Sequence, residues 1–433
     1  MGFRRGCAVV AAAMSFAVAA EARPSAEEVL GLDTRLALEL TRHTPTTSPP
    51  VASRAFAYLY VAAYEAVAGG SDDLVTLAGQ LNALEPLPGR EMGAAYDEAV
   101  VLEAALSTVL AALYGNTGPT GQRALTHMAE RLAEGVAEGV PPDVVERSRA
   151  QGEAVARHVL AWAEGDGGAV VENMGFPLAL DLPKGEGLWV PTSRIVQQQL
   201  PLLPDWGANR TFAMPDGAAC PLPPPPAYST EEGSPFLGEA REVLEVRQDL
   251  TEEQRAIARF WSDDPMLSPT PPGHWISIAS QVLDAQGADL ERRVEVLAVL
   301  SVAMSDAFVG CWHEKFRYNL IRPVTYIRAH LDPAFEPLLI TPPFPEYPSG
   351  HSTQSGAAAV VLSAMFGEGF VFTDATHEDD GLPARTFPSF WAAAEEAGIS
   401  RLYGGIHFRS AIEQGLEQGR CVGAHAVALR TRR

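Results

Sequence analysis

The sequence has few cysteines, four among 433 residues. Cys7 lies in an apolar N-terminal run, which leaves Cys220, Cys311 and Cys421 for the rest of the chain. Such a sparse set forms no disulfide framework, although one bridge could form in an oxidising compartment. The spacing of these cysteines is also wrong for a zinc site. We therefore expect the fold to depend on its hydrophobic core, and the question of a disulfide stays open.

Basic residues are scarce as well: the chain has 32 Lys and Arg but 54 Asp and Glu, which gives a formal net charge of −22. Nucleic-acid phosphates are bound by basic surfaces, so we expect no nucleic-acid partner. After the N-terminus no apolar run reaches the roughly 18 residues of a membrane span, so no transmembrane helix is expected. The chain also lacks a Walker loop, a dinucleotide fingerprint and internal repeats. An acidic protein of this kind can still hold one local cationic pocket.

Residues 1–22 have the pattern of a secretory signal peptide. Arg4 and Arg5 precede an apolar run, and Ala20-Glu21-Ala22 is a small-x-small cleavage site. We expect cleavage before Arg23 and a periplasmic or secreted location. An uncleaved N-terminal helix is the alternative.

Most of the remaining chain shows helical periodicity, and no strong strand is visible. We predict an N-terminal helical bundle at 23–165, a proline-rich connecting segment at 166–235 and a C-terminal helical domain at 236–433. The connecting segment either lines the entrance to a site or forms a surface strap, and both interpretations remain open. Helices are expected at about 25–43, 51–68, 92–114, 120–139, 142–164, 236–247, 251–263, 271–285, 289–309 and 352–366.

The stretch Pro348-Ser349-Gly350-His351 ends a proline-rich approach to a predicted helix. A Ser hydroxyl, unpaired N–H groups and a His at a helix N-terminus favour binding of an oxyanion, because the dipole is positive there. Alone, this pattern is more typical of a simple helix cap and turn.

Two flanking stretches supply cations. Lys315 and Arg322 are seven residues apart, a spacing that predicts one helix face and one shared anion. Downstream, Gly404-Gly405 separates Arg401 from His407 and predicts a bend at which these two side chains converge.

Together, Lys-x6-Arg-Pro, Pro-Ser-Gly-His and Ser-Arg-x5-His resemble the three-part signature shared by vanadium-dependent haloperoxidases and type 2 phosphatidic acid phosphatases. The resemblance covers about residues 312–410. Trp312 and Phe344 make the chain more similar to the bacterial, chloroperoxidase-like haloperoxidases, and are expected to line the pocket. The resemblance implies an all-α fold of two helical bundles, with the oxyanion site in the C-terminal bundle.

The resemblance also implies residue roles. Vanadate would be the cofactor, bound by Lys315, Arg322, Ser349, Gly350, Arg401 and His407. His407 would ligate vanadium, and His351 would exchange a proton with hydrogen peroxide. The partners would be hydrogen peroxide and a halide, with an organic acceptor and a homo-oligomer as further expectations.

Two alternatives to a haloperoxidase remain open. In an acid phosphatase His407 would form a phosphohistidine and His351 would protonate the leaving alcohol. A non-catalytic oxyanion-binding protein would not need both histidines. A Ser349/His351 hydrolase is disfavoured, because no Gly-x-Ser-x-Gly elbow exists and the two residues are too close in sequence.

Three further features are ambiguous. His274 could reach the pocket, but a satisfied structural histidine is favoured. The run His377-Glu378-Asp379-Asp380 could bind a divalent cation, but a solvated acidic loop is favoured. Asp306 either balances a cation such as Lys315 or faces solvent.

Overall fold

The computed structural model describes residues 22–193 and 200–433, so the predicted signal sequence up to residue 21 lies outside the described residues. Helices dominate, which confirms the predicted all-α class. The N-terminal helices are α1 (Ala26–His43), α2 (Pro49–Ala68), α3 (Glu98–Leu113), α4 (Pro119–Ala137) and α5 (Pro142–Glu164). The C-terminal ones are α6 (Pro235–Gln248), α7 (Glu252–Phe260), α8 (Thr270–Ala285), α9 (Leu290–Tyr318), α10 (Pro323–His330), α11 (Gly350–Phe366), α12 (Phe390–Tyr403) and α13 (Arg409–Val427).

Local signals in the sequence account for several helix starts. Ser25 and Thr251 cap α1 and α7, and each forms a capping box with the residue three positions later. Proline occupies the first turn of α2, α4 and α5, where its missing N–H removes no intrahelical bond. These signals explain why the helix starts predicted from the sequence at 25, 51, 120, 142 and 251 fall within two residues of those observed.

The main hydrophobic core contains residues from both halves of the chain, chiefly along α2 and α9. Tyr58, Tyr60 and Tyr64 of α2 are buried in it, as predicted. The segment α9 is apolar and long enough to cross a membrane by composition, but its apolar stretch is completely buried within the protein. Helix α9 is therefore a core helix of the described structure. The predicted domain boundaries stay a prediction.

Two expectations need correction. The helix predicted at 289–309 continues to Tyr318, where Asn319 adopts the left-handed conformation and ends it. Arg322 precedes Pro323 and lies outside α9, in an extended conformation, so Lys315 and Arg322 do not share one helix face. Two three-residue strands, β1 (Phe372–Asp374) and β2 (Arg385–Phe387), also pair antiparallel between α11 and α12.

The connecting segment between α5 and α6 is irregular and packs on α9. Buried Asp306 of α9 accepts the backbone N–H groups of Phe212, Ala213 and Met214, so it neither pairs with Lys315 nor faces solvent. Burial raises the pKa of Asp306 to about 6, against these hydrogen bonds. A disulfide joins Cys220 to Cys421 of α13. The segment is thereby fixed to the C-terminal helices at two places.

Part of the connecting segment reaches the proline-rich approach to α11. The backbone N–H of Leu202 donates to the carbonyl of Pro343 at 2.8 Å, and the carbonyl of Leu202 accepts from the Trp312 indole at 3.3 Å. Leu202 and Trp206 belong to the same apolar cluster as Trp312 and Phe344. Of the two interpretations left open by the sequence, the contacts favour a segment that lines the neighbourhood of the motif residues.

Candidate active site

Five separate chain segments bring the three motifs together. Lys315 lies in the last turn of α9, Arg322 caps α10, Ser349-Gly350-His351 begins α11, Arg401 lies near the end of α12, and His407 follows the bend after it. The four charged or ligating side chains that the sequence singled out are almost fully buried, with Lys315 and Arg322 at 0%, Arg401 at 2% and His407 at 3% exposure. The structure thus gathers residues that are 92 positions apart (315 to 407) into one buried cationic site.

His407 is held between a carboxylate and a guanidinium. Its Nδ1 lies 2.8 Å from Glu346 Oε1, and its Nε2 lies 3.1 Å from Arg322 Nη1. Since a guanidinium only donates, Nε2 is the acceptor with a lone pair, and Nδ1 carries the proton of the ring. Burial and the nearby cations Arg322, Lys315 and Arg401 lower the pKa of His407. The ring is therefore neutral, with Nε2 available as a ligand atom.

His351 faces the other side of the site. Arg401 Nη1 donates to His351 Nε2 at 3.2 Å and to the carbonyl of Trp261 at 2.5 Å. Burial and Arg401 lower the pKa of His351, so this imidazole is also neutral and its Nε2 can accept a proton.

Lys315 differs from the expectation of direct anion contact. Its ammonium donates to the carbonyls of Pro345 at 2.9 Å, Glu346 at 3.1 Å and Pro348. All three N–H groups are used on the backbone, so the residue holds the proline-rich approach in place and contributes its charge. Burial, together with the charge of Arg322, lowers the pKa of Lys315 to about 7.

Several buried donors at the site have no partner among the described residues. These include Arg322 Nη2 and Arg401 Nε. Burial lowers the pKa of both guanidinium groups to about 10, a sign that their charge is poorly compensated. Buried donors without partners are costly and call for an acceptor. An oxyanion bearing several negative charges fits this donor set.

Ser349 and Gly350 form the start of α11. The Ser349 side chain accepts from the N–H of Ser352 at 3.3 Å, which is the helix cap that the sequence favoured. The N–H of Gly350 is among the first-turn donors with no intrahelical acceptor. A Cβ on Gly350 would meet no atom closer than 3.8 Å, so packing does not explain the glycine. Its open N–H and lack of side chain suit close approach of an anion.

An aromatic wall closes one side of the site. The rings of Trp312 and Phe344 lie 4.8 Å apart. The Phe344 ring also faces Lys315 Nζ at 5.1 Å and the Arg322 guanidinium at 5.0 Å. These contacts keep both cations against an apolar surface, where a charge interacts strongly because water is excluded.

The sequence predictions missed two functional contacts. From the sequence, Glu346 beside the anion site is expected either to lower the affinity for vanadate or to hold an arginine, whereas in the structure its Oε1 accepts from His407 Nδ1. The Trp261 carbonyl, which positions Arg401, was not considered. The role of a backbone carbonyl cannot be predicted from the type of its side chain. The carboxylate of Glu346, two residues before Pro348, could have indicated a partner for a histidine of the site.

The two ambiguous histidines lie together elsewhere. His274 is buried between Asp263 and Asp374, which agrees with the favoured structural assignment. His377 is also buried and contacts Asp263 at 3.2 Å, so it is not part of a solvated loop, although Glu378 and Asp379 are exposed.

Comparisons with known proteins agree with the motif assignment. The family model described as the VCPO second helical-bundle domain matches residues 295–433. Vanadium chloroperoxidase of Curvularia inaequalis is 25% identical over 221 residues, a match that spans 36% of this chain and 36% of that protein.

Solved structures give wider coverage. One described as the first bacterial vanadium-dependent iodoperoxidase is 40% identical and has a TM-score of 0.85, covering 94% of this chain and 97% of that one. A holo-type bacterial vanadium-dependent chloroperoxidase has a TM-score of 0.67 at 16% identity, covering 88% of this chain and 92% of that one. At that identity the second likeness concerns the fold alone.

Proposed function

Because the chain belongs to the vanadium-dependent haloperoxidases, we propose that it uses vanadate and hydrogen peroxide to oxidise a halide to hypohalous acid. The observation that carries the proposal is the presence of an oriented His407 beside two buried guanidinium donors, Arg322 Nη2 and Arg401 Nε, that have no acceptor among the described residues. In this family vanadate supplies the transfer of one peroxide oxygen to the halide, while vanadium keeps its highest oxidation state. All other steps depend on side chains of this chain.

The cofactor would be held by His407 Nε2, the free donors of Arg322 and Arg401, the Ser349 hydroxyl and the Gly350 N–H. Glu346 fixes the tautomer in which Nε2 carries the lone pair. Lys315 adds charge from behind the proline-rich approach. Arg322 and Arg401, together with Lys315 when it is protonated, would favour a multiply charged anion and would withdraw electron density from its oxygens.

His351 would serve as the proton acceptor for hydrogen peroxide. Its lowered pKa keeps Nε2 free of a proton at neutral pH. Arg401 fixes the ring through the hydrogen bond at 3.2 Å and is itself fixed by the Trp261 carbonyl. A neutral imidazole at a half-buried, oriented position is suited to general-base catalysis.

Iodide is the halide that we propose. The support is the 40% identity to a protein described as an iodoperoxidase. Iodide is also the most easily oxidised of iodide, bromide and chloride. We further propose a periplasmic or secreted location, which the Cys220–Cys421 disulfide supports because such bonds persist in oxidising compartments.

A paired assay tests the proposal. Protein produced without vanadate is incubated with orthovanadate, and iodide, bromide and chloride oxidation by hydrogen peroxide is followed beside hydrolysis of p-nitrophenyl phosphate. We expect vanadate-dependent oxidation, fastest with iodide, that disappears in His407→Ala and persists in the exposed control His330→Ala. Phosphate hydrolysis that vanadate inhibits, without halide oxidation, would instead assign the chain to the phosphatases.

A further inference from the structure

A second group of metal-ligating side chains lies outside the site described above. Asp263 follows α7, His274 lies in α8, and His377 follows β1, with exposures of 2%, 0% and 5%. One ligand atom from each lies within 4.8 Å of the other two. Three segments up to 114 residues apart thus point ligand atoms at one buried place.

The distances from the two imidazoles to Asp263 are close to those between ligands of one ion. His274 Nδ1 lies 3.1 and 3.0 Å from the two oxygens of Asp263, and His377 Nε2 lies 3.2 Å from one of them. A single strong hydrogen bond would favour one oxygen at a shorter distance. Nitrogen and oxygen ligands at about 2.0–2.2 Å from a tetrahedral zinc ion are separated from one another by roughly 3.3 Å. The observed spacing is close to that value.

The outer ring nitrogens have carboxylate partners of their own. His274 Nε2 lies 2.8 Å from Asp374, and His377 Nδ1 lies 3.0 Å from Asp380. Metal-ligating histidines almost always donate their second ring N–H in this way. The arrangement fixes the tautomers in which the inner nitrogens present lone pairs toward Asp263, a carboxylate that cannot donate. A lone pair facing a carboxylate requires a cation or an added proton between them.

The charges lead to the same requirement. Asp263, Asp374 and Asp380 contact the two imidazoles, and Arg42 pairs with Asp380 alone. Two of the three negative charges are then left without a cation if both imidazoles are neutral. One divalent cation or two protons would balance them.

We propose that Asp263, His274 and His377 bind one Zn²⁺ ion. Two imidazoles and a carboxylate select zinc over Ca²⁺ or Mg²⁺, which prefer oxygen ligands. The second oxygen of Asp263 or a water molecule completes the tetrahedron. Burial of all three ligands indicates a structural ion, because a catalytic zinc keeps a position open to substrate.

The ion would support the haloperoxidase site without touching it. Trp261 stacks on His274 with ring centroids 4.5 Å apart, and the Trp261 carbonyl accepts from Arg401. Only two positions separate Trp261 from Asp263. Zinc at Asp263 and His274 would therefore hold the carbonyl that positions Arg401 and His351. The proposal itself concerns metal binding and does not depend on the halide chemistry.

Metal analysis of tag-free protein tests it. We expect about one zinc ion per chain by elemental mass spectrometry. After chelation, Co²⁺ alone should produce the visible absorption of a tetrahedral site, and Zn²⁺ should abolish it. His377→Gln and Asp263→Asn should lose both signals, whereas the exposed control His330→Gln and the vanadate-site variant His407→Ala should retain them.

Wild-type protein decides the matter even if the variants do not fold. The proposal is wrong if the folded wild type contains no zinc after growth with zinc, gives no Co²⁺ absorption and keeps its melting temperature on addition of Zn²⁺. The cluster would then be an ion network of two imidazolium groups and three carboxylates. A Co²⁺ spectrum retained by both cluster variants would equally contradict the assignment.

Discussion

The hydrogen bond between Glu346 and His407 leads to a graded prediction. Glu346 is completely buried, and its Oε1 accepts from His407 Nδ1 at 2.8 Å and from the Phe408 N–H at 2.9 Å. Burial raises the pKa of Glu346 to about 8, and Glu346→Gln replaces its carboxyl group by an amide of the same size that keeps a carbonyl acceptor. Glu346→Met removes the carboxyl group and the acceptor and nearly preserves the volume. Comparison of the two variants separates orientation of the ring from electrostatics.

The magnitude follows from the role of such partners at metal ligands. Losing the group that orients a ligating histidine typically costs about 10- to 100-fold in affinity for the bound group, or roughly 1.4–2.7 kcal/mol. We therefore expect Glu346→Met to weaken vanadate binding by about this factor. Glu346→Gln should lose less than about tenfold, because its carbonyl still accepts from Nδ1.

The assay is calorimetric titration of vanadate-free protein with orthovanadate, which needs no catalytic turnover. Glu239→Gln is the matched control, since Glu239 is a half-buried carboxylate that accepts from Ser410 and does not contact His407. A Glu346→Met variant that is folded and binds vanadate within about twofold of the wild type would refute the proposed orienting role.

Three further predictions concern stability. Burial raises the pKa of Glu103 from 4.5 to about 7, so the free energy of unfolding should fall as pH rises through that range. Glu103→Gln should make the free energy of unfolding less dependent on pH. At pH 8 it should add up to about 3 kcal/mol, measured by urea titration. Cys220→Ser opens a link between residues 201 positions apart and should cost about 5 kcal/mol by loop entropy, measured by unfolding with and without reductant. A Cβ at Gly419 would lie 2.4 Å from the Thr353 carbonyl oxygen, so Gly419→Ala should separate α11 from α13 and cost about 1–3 kcal/mol, seen as a lower melting temperature.

Each of these has a contrasting outcome. A pH slope unchanged in Glu103→Gln would place the titration elsewhere. If wild type and Cys220→Ser had equal unfolding midpoints under oxidising conditions, the disulfide would not stabilise the fold as predicted. Gly238→Ala in α6 is the control for Gly419, because its Cβ would meet nothing within 4 Å and the change should stabilise the helix slightly. Equal losses at both glycines would contradict the packing argument.

Local sequence patterns predicted much of the fold. Helix α2 is apolar on all sides, and α5 is bounded by Gly- and Pro-containing breaks. Both signals lie within the helix or next to it, so they predicted the positions of these two helices. The same holds for the start of α11, where prolines and the Ser349 cap leave few alternatives. The membership in the haloperoxidase superfamily that the three motifs indicated is confirmed.

Long-range contacts could not be predicted in this way. Glu346 and His407 are 61 positions apart, and Cys220 and Cys421 are 201 apart, so no periodic pattern links either pair. The shared helix face predicted for Lys315 and Arg322 was wrong because seven-residue spacing says nothing about where a helix ends. The left-handed Asn319 interrupts it.

The most direct test of the account is the initial rate of iodide oxidation as orthovanadate is added to vanadate-free protein. In the wild type the rate should start near zero and saturate at about one vanadate per chain. In His407→Ala, shown to be folded by its melting temperature, it should stay near zero at the same vanadate concentrations. A rate that is independent of vanadate, or unchanged by removal of the His407 imidazole, would contradict the proposed site and function.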